Sequence, residues 1–75
     1  MTANELLQVY PVFTYTPSAG DTLFSVSARL YGSFDDIYLS FLKTANRRYD
    51  WSCLQGGVKI RYISKKHIKY FNAIQ

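Results

Sequence analysis

Residues 20–32 read GDTLFSVSARLYG. Leu23, Val26, Leu30 and Tyr31 recur at the spacing of one helical face, with Ser25, Ser27 and Arg29 between them, which predicts a short amphipathic helix. Gly20 is free to take a positive φ at the entry, Asp21 is positioned to cap the first turn with its carboxylate, and Gly32 stops the helix. Ser33, with Asp36 three residues on, can open a second helix by side-chain capping. That helix carries Ile37, Tyr38, Phe41, Leu42 and Ala45 on one stripe, has Asp35, Ser40, Lys43 and Thr44 elsewhere, and ends near Asn46.

Upstream, residues 12–16 (VFTYT) are β-branched and aromatic and stop at Pro17, which cannot donate to a ladder; they predict a strand, followed by turn chemistry over 17–20. Downstream, residues 47–53 have neither helical nor strand period and read as a loop. Gly56 and Gly57 then turn the chain into residues 58–63, where Val58, Ile60 and Tyr62 alternate with Lys59 and Arg61 as in a half-buried strand. Two strands separated by two helices hide a sheet face only by packing the helices on it, so the expected fold is α+β, in βααβ order, with a two-stranded antiparallel sheet covered on one side. Residues 1–11 are then an N-terminal extension, 12–63 the domain, and 64–75 a basic C-terminal tail. In that tail Ile68, Phe71 and Ile74 lie three residues apart with Lys65, Lys66 and Lys69 interspersed. A short amphipathic helix is expected there, docked either on its own domain or on a neighbour, since alone it is too short to hold.

At 75 residues, 48% hydrophobic and 17% aromatic, the chain has the material for one small folded domain. A single cysteine, Cys53, leaves no internal disulfide, and with one histidine, His67, the chain falls short of the about four ligands of a structural zinc site; no metal or cofactor is expected. The first residues lack the basic and long apolar regions of a secretory signal, and nothing approaches the roughly 20 apolar residues of a membrane span. Synthesis in the cytoplasm is expected. Nine Lys and Arg against five Asp and Glu give a net charge of +4, which either solvates a basic face or invites an acidic partner.

The order of residues resembles the LysM family. Gly20-Asp21-Thr22-Leu23 is similar to the family's G-D-T-L at the first helix start, Ala28-Arg29-Leu30-Tyr31 followed by Gly32 to its close, Asn46 to the end of its second helix, and Leu54-Gln55-Gly56 to the L-x-G before its last strand. The likeness runs over residues 12–63, and departs from the family where Tyr62-Ile63 stands in place of the proline that often follows the closing strand. The resemblance implies a groove for N-acetylglucosamine polymers such as peptidoglycan or chitin, lined by Gly20, Asp21, Thr22 and Leu23 on one side and Cys53, Leu54 and Gln55 on the other. The same residues also serve as turns and caps that the fold requires in any case.

LysM-like chains of this size without a signal or an attached hydrolase resemble small tail and baseplate proteins of contractile bacteriophages, in which the module clamps protein to protein. That likeness implies a structural role in the virion, in a multi-copy assembly with other tail proteins; peptidoglycan binding is the alternative. Arg47, Arg48, Tyr49 and Trp51 are of the residue types that dominate protein interfaces, and with Ile68, Phe71 and Ile74 they form the candidate protein-binding set, although Trp51 can equally close the core. Basic residues interleaved with Tyr49, Trp51, Tyr62, Tyr70 and Phe71 resemble a nucleic-acid surface in composition only, without a recognised motif. Catalysis is not expected: Cys53 has no evident oriented base, His67 lies in the tail, Asp35 and Asp36 are adjacent, and Glu5, Asp21 and Asp50 sit on separate segments.

Overall fold

The computed structural model describes residues 1–72. Along the chain come helix α1 (Ala3–Val9), strand β1 (Phe13–Tyr15), helices α2 (Leu23–Tyr31) and α3 (Asp36–Ala45), strand β2 (Ile60–Tyr62) and a 3₁₀ helix, η1 (Lys65–Tyr70). The strands pair antiparallel, Phe13 with Tyr62, Thr14 with Arg61 and Tyr15 with Ile60, so the molecule is α+β around a two-stranded sheet.

Helix α2 starts one residue later than its sequence suggests. Thr22, not Asp21, is the N-cap: its Oγ1 accepts the Ser25 amide at 3.4 Å while Ser25 Oγ accepts the Thr22 amide at 2.8 Å. The reason is reciprocity, because only Thr22 has a hydroxyl-bearing residue three positions on. Asp21 instead staples the preceding turn, accepting from the Ser18 amide (2.9 Å) and Ser25 Oγ (3.2 Å). Gly32 ends the helix in the left-handed region, φ 66°, with its amide on the Ala28 carbonyl.

The start of α3 also differs from expectation. Ser33 Oγ reaches only the Asp35 amide (3.1 Å), and Asp35 stands at the N-cap without a side-chain capping bond. The corner is held from the other side, by buried Ser27, whose Oγ donates to the Ser33 carbonyl at 2.6 Å. Val26 and Tyr31 of α2, Phe41, Leu42 and Ala45 of α3, and Ile60 and Ile63 at the closing strand form the middle of the core.

The two terminal segments are part of that core. Residues 1–11 hold α1, opened by a capping box in which Thr2 Oγ1 accepts the Glu5 amide and Glu5 accepts the Thr2 amide, and Ala3 and Leu6 are buried. The tail docks on its own domain: Ile68 is 1% and Phe71 6% exposed, and the Phe71 ring stands edge-on to Phe41 at 5.5 Å. It does so as a 3₁₀ helix, whose three residues per turn put Ile68 and Phe71 on one side. The segments are tied together where the Met1 ammonium donates to the Tyr70 carbonyl and the Asn72 amide to the Met1 carbonyl, both at 2.8 Å. Ile74, the last residue of the expected apolar stripe, lies outside the described residues.

Candidate functional site

The loops that enter α2 and precede β2 meet, as the reading of Gly20–Leu23 against Cys53–Gln55 requires, but they meet through their backbones. The Gly20 amide donates to the Leu54 carbonyl (2.8 Å), the Leu54 amide to the Asp21 carbonyl (2.9 Å), and the Leu23 amide to the Trp51 carbonyl (3.4 Å). The Asp21 amide is spent on Ser18 and the Thr22 amide on Ser25. Every amide of the Gly20–Leu23 wall therefore already has a partner within the chain. Leu54 is buried, whereas Cys53 and Gln55 are exposed and line a depression of about 340 Å³ with Arg48, Tyr49, Asp50 and Val58. Two hydrogen bonds from Ser52 hold the Asp50 carboxyl below its ordinary value, the side-chain bond contributing most. No histidine lines this depression beside the exposed Cys53 thiol. His67 is stacked on Tyr10 at 3.9 Å between ring centroids.

A second site forms where α3 ends. Asn46 closes that helix and is 4% exposed. Its Nδ2 donates to the Leu42 and Arg61 carbonyls, both at 3.0 Å, and its Oδ1 accepts the Arg61 amide at 2.9 Å, so one side chain joins the end of α3 to β2. The Asn46 carbonyl in turn accepts Trp51 Nε1 at 3.1 Å, which fixes the indole over the core at 9% exposure. With Trp51 held inside, the chain between Asn46 and Trp51 turns Arg47 and Arg48 outward.

These two arginines meet Lys59 and Arg61 in a groove of about 670 Å³, completed by Asn4 of α1, Thr14 of β1, and Thr44 and Tyr49. Arg61 faces Thr14 directly across the sheet, and Lys59 stands just before β2. Among the described residues no carboxylate lines the groove. Carbonyls at the end of α3 attract cations there, and Arg61 Nη2 approaches the Ala45 carbonyl at 3.4 Å. Arg48 Nη2 donates to the Tyr49 phenol oxygen at 3.1 Å and thereby holds that phenol below its ordinary value. A further basic surface, Lys65, Lys66 and Lys69, borders Ile37 and Tyr38, with Lys65 Nζ 5.6 Å from the Tyr38 ring centroid.

Of the residues that sequence singled out for protein contact, Arg47 and Arg48 are exposed and Tyr49 is half-buried, while Trp51, Ile68 and Phe71 are spent on the core. Lys59 and Arg61 were legible only as the polar side of a strand, since their convergence with Arg47 and Arg48 depends on where Asn46 anchors β2. Among the described residues no three His, Cys, Asp or Glu side chains gather closely enough to hold a metal ion, and no helix is long and apolar enough to cross a membrane. No family model matches the chain, and neither a curated protein nor a solved structure matches it.

Proposed function

We propose that residues 12–63 are a LysM-like βααβ module and that the protein is a non-enzymatic clamp between proteins, in a phage tail, a baseplate or a related contractile assembly. The observation that carries the choice of protein over glycan is the closed loop junction: amides of Gly20, Asp21, Thr22, Leu23 and Leu54 all donate within the chain. Recognition of an N-acetyl group needs convergent polar groups with spare hydrogen-bonding capacity, and opening one of these bonds would forfeit about 0.5–1.5 kcal/mol. The basic groove at the end of α3, by contrast, is open and lined by four cations, with no carboxylate among the described residues. Such a surface favours an acidic protein partner by steering and by pairing.

Co-sedimentation of the full chain with insoluble peptidoglycan tests this reading. No saturable binding is expected; saturable binding that soluble N-acetylglucosamine oligomers compete away overturns it and makes the Gly20–Leu23 and Cys53–Gln55 loops the working site. The assembly role is tested by the protein content of purified contractile particles from the producing host, where the chain should occur at fixed stoichiometry; its absence from such particles overturns that placement.

A further inference from the structure

The two edges of the sheet are treated differently. In an antiparallel pair a residue sends its N–H and C=O to the same side, and neighbouring residues along the strand alternate sides. Both backbone groups of Arg61 are taken by the Asn46 side chain, and the Ile63 carbonyl accepts the Tyr31 hydroxyl at 2.9 Å, so the outer edge of β2 is closed. Arg61 thus points its backbone groups away from β1, and Thr14, directly opposite, points its own N–H and C=O away from β2. Among the described residues nothing is hydrogen-bonded to the outer edge of β1, and Val12, Phe13, Thr14 and Thr16 are exposed.

An open edge is ordinarily guarded by charge, above all by lysine. Here residues 6–20 carry no charged side chain. Pro11 and Pro17 end the run on either side, but both have the opposite parity to Thr14, so by the same alternation neither removes a donor from the outer edge.

The run is also symmetric about its centre. Residues 11–17 read PVFTYTP. Laid antiparallel against a second copy about Thr14, they set proline against proline, Val12 against the β-branched Thr16, Phe13 against the aromatic Tyr15, and Thr14 against itself. Aromatic, β-branched and threonine pairs of this kind stabilise antiparallel strands. Phe13 is 48% exposed beside Tyr62, their ring centroids 5.7 Å apart, and Tyr15 of a second copy would continue that aromatic row past Phe13.

We propose that the outer edge of β1 is a self-association site. Two copies pair antiparallel about a two-fold axis between their Thr14 residues, joining their sheets into one in the order β2-β1-β1-β2. The two Thr14 residues exchange both backbone bonds, and the Phe13–Tyr15 pairs on either side are of the closer kind without mutual hydrogen bonds. Any extended strand can answer free backbone groups; the self-matching of residues 11–17 singles out a second copy. Residues 12–16 extend over about 17 Å, a contact short of the roughly 1,200–2,000 Å² of a stable interface, so the pair is weak in dilute solution and forms where copies are held close together. The pairing does not depend on what the basic groove binds.

The test is sedimentation equilibrium of the full chain beside Thr14→Lys and Thr14→Glu, each alone and mixed one to one, with circular dichroism to verify that each is folded. The parent should self-associate at about 1 mM or below. Either variant alone sets like charges directly across the axis and should associate about fivefold or more weakly, whereas the mixture sets opposite charges there and should recover the association of the parent. Salt should tighten the association of the parent, because the edge is uncharged while each chain carries +4. Amide spectra of the ¹⁵N-labelled parent on dilution, which need no variant, should shift at residues 12–16. A parent that is monomeric at about 1 mM overturns the proposal. So do variants that associate as the parent does, a mixture no tighter than its components, association that weakens with salt, or dilution shifts that leave residues 12–16 untouched. A blocked PVFTYTP peptide should compete for the edge, and an alternating Val and Thr heptapeptide that competes equally well would overturn the choice of a second copy as the occupant.

Discussion

Replacing Asn46 by alanine removes three hydrogen bonds made by one buried side chain. The losses are not equal. The Leu42 carbonyl keeps the Asn46 amide at 3.1 Å, so it loses only its second donor. The Arg61 amide and carbonyl lose their partner outright, and an amide left unsatisfied in a partly buried place costs about 1–3 kcal/mol, against about 0.5–1.5 kcal/mol for each lost bond to a carbonyl. The expected penalty is about 3 kcal/mol. A domain of this size has roughly 0.05–0.15 kcal/mol of stability per residue, so the loss is a large fraction of the whole, and it should lower the thermal midpoint by about 12–24 °C. Thermal unfolding followed by far-ultraviolet circular dichroism measures it. Asn46→Asp sharpens the test, because it keeps an acceptor for the Arg61 amide while facing the Leu42 and Arg61 carbonyls with a carboxylate instead of a donor. Near neutral pH it should be at least as damaging as alanine. Protonation supplies one donor in the folded state, so the deficit of this variant relative to the parent should shrink as the solution is acidified. An alanine penalty below about 1 kcal/mol, or an aspartate variant as stable as the parent, would show that the amide does not bridge α3 and β2 as described.

Thr22→Ala should cost about 1 kcal/mol through loss of the α2 cap, and Asp21→Ala less, an order that denaturant titration of the two variants checks. Phe71→Ala should cost about 3–5 kcal/mol, because the ring is buried against Phe41, and a chain cut after Ile63 should fail to give a cooperative melt. Glu5 is held below its ordinary pKa first by the Thr2 amide, so its contribution to stability is complete above the unfolded carboxylate range and is lost as pH falls through the lower folded value. Glu5→Gln should therefore flatten part of the acid side of a plot of thermal midpoint against pH, and an unchanged acid limb would count against the α1 capping box.

The parts of the fold that the sequence made legible are those with a period or a punctuating residue. Helices α2 and α3 follow the recurrence of Val26 and Tyr31 and of Phe41, Leu42 and Ala45, with Gly32 and Asn46 at their ends. The strands follow the short β-branched run and the alternation around Ile60. Helix α1 is harder to read because seven residues are too few for a period; its Thr2 and Glu5 are nevertheless a capping-box pair, and that was the available signal. Its stability comes from tertiary packing of Leu6 and from the bonds of Met1 to the C-terminal segment, which local sequence does not display. Trp51 shows a second limit. Its type suits an interface as well as a core, and the choice rests on one bond to a backbone carbonyl five residues earlier.

The basic groove was illegible for a more general reason: its cations come from a loop and from a strand, and only the anchoring of β2 against the end of α3 brings them together. Asn46 makes that anchor, and in doing so it decides two things at once. By occupying the backbone groups of Arg61 it closes one edge of a two-stranded sheet, which is the usual hazard of so small a sheet. By holding Arg61 beside Ala45 it gathers positive charge at the end of α3, where Arg47 and Arg48 follow. A strand arriving from outside is therefore turned away from β2. The same side chain that stabilises the fold thus also assembles the cationic groove, and a loss of stability in Asn46→Ala should be accompanied by a loss of selectivity for an acidic peptide over a lysine-rich one of equal length, measured on the fraction that remains folded.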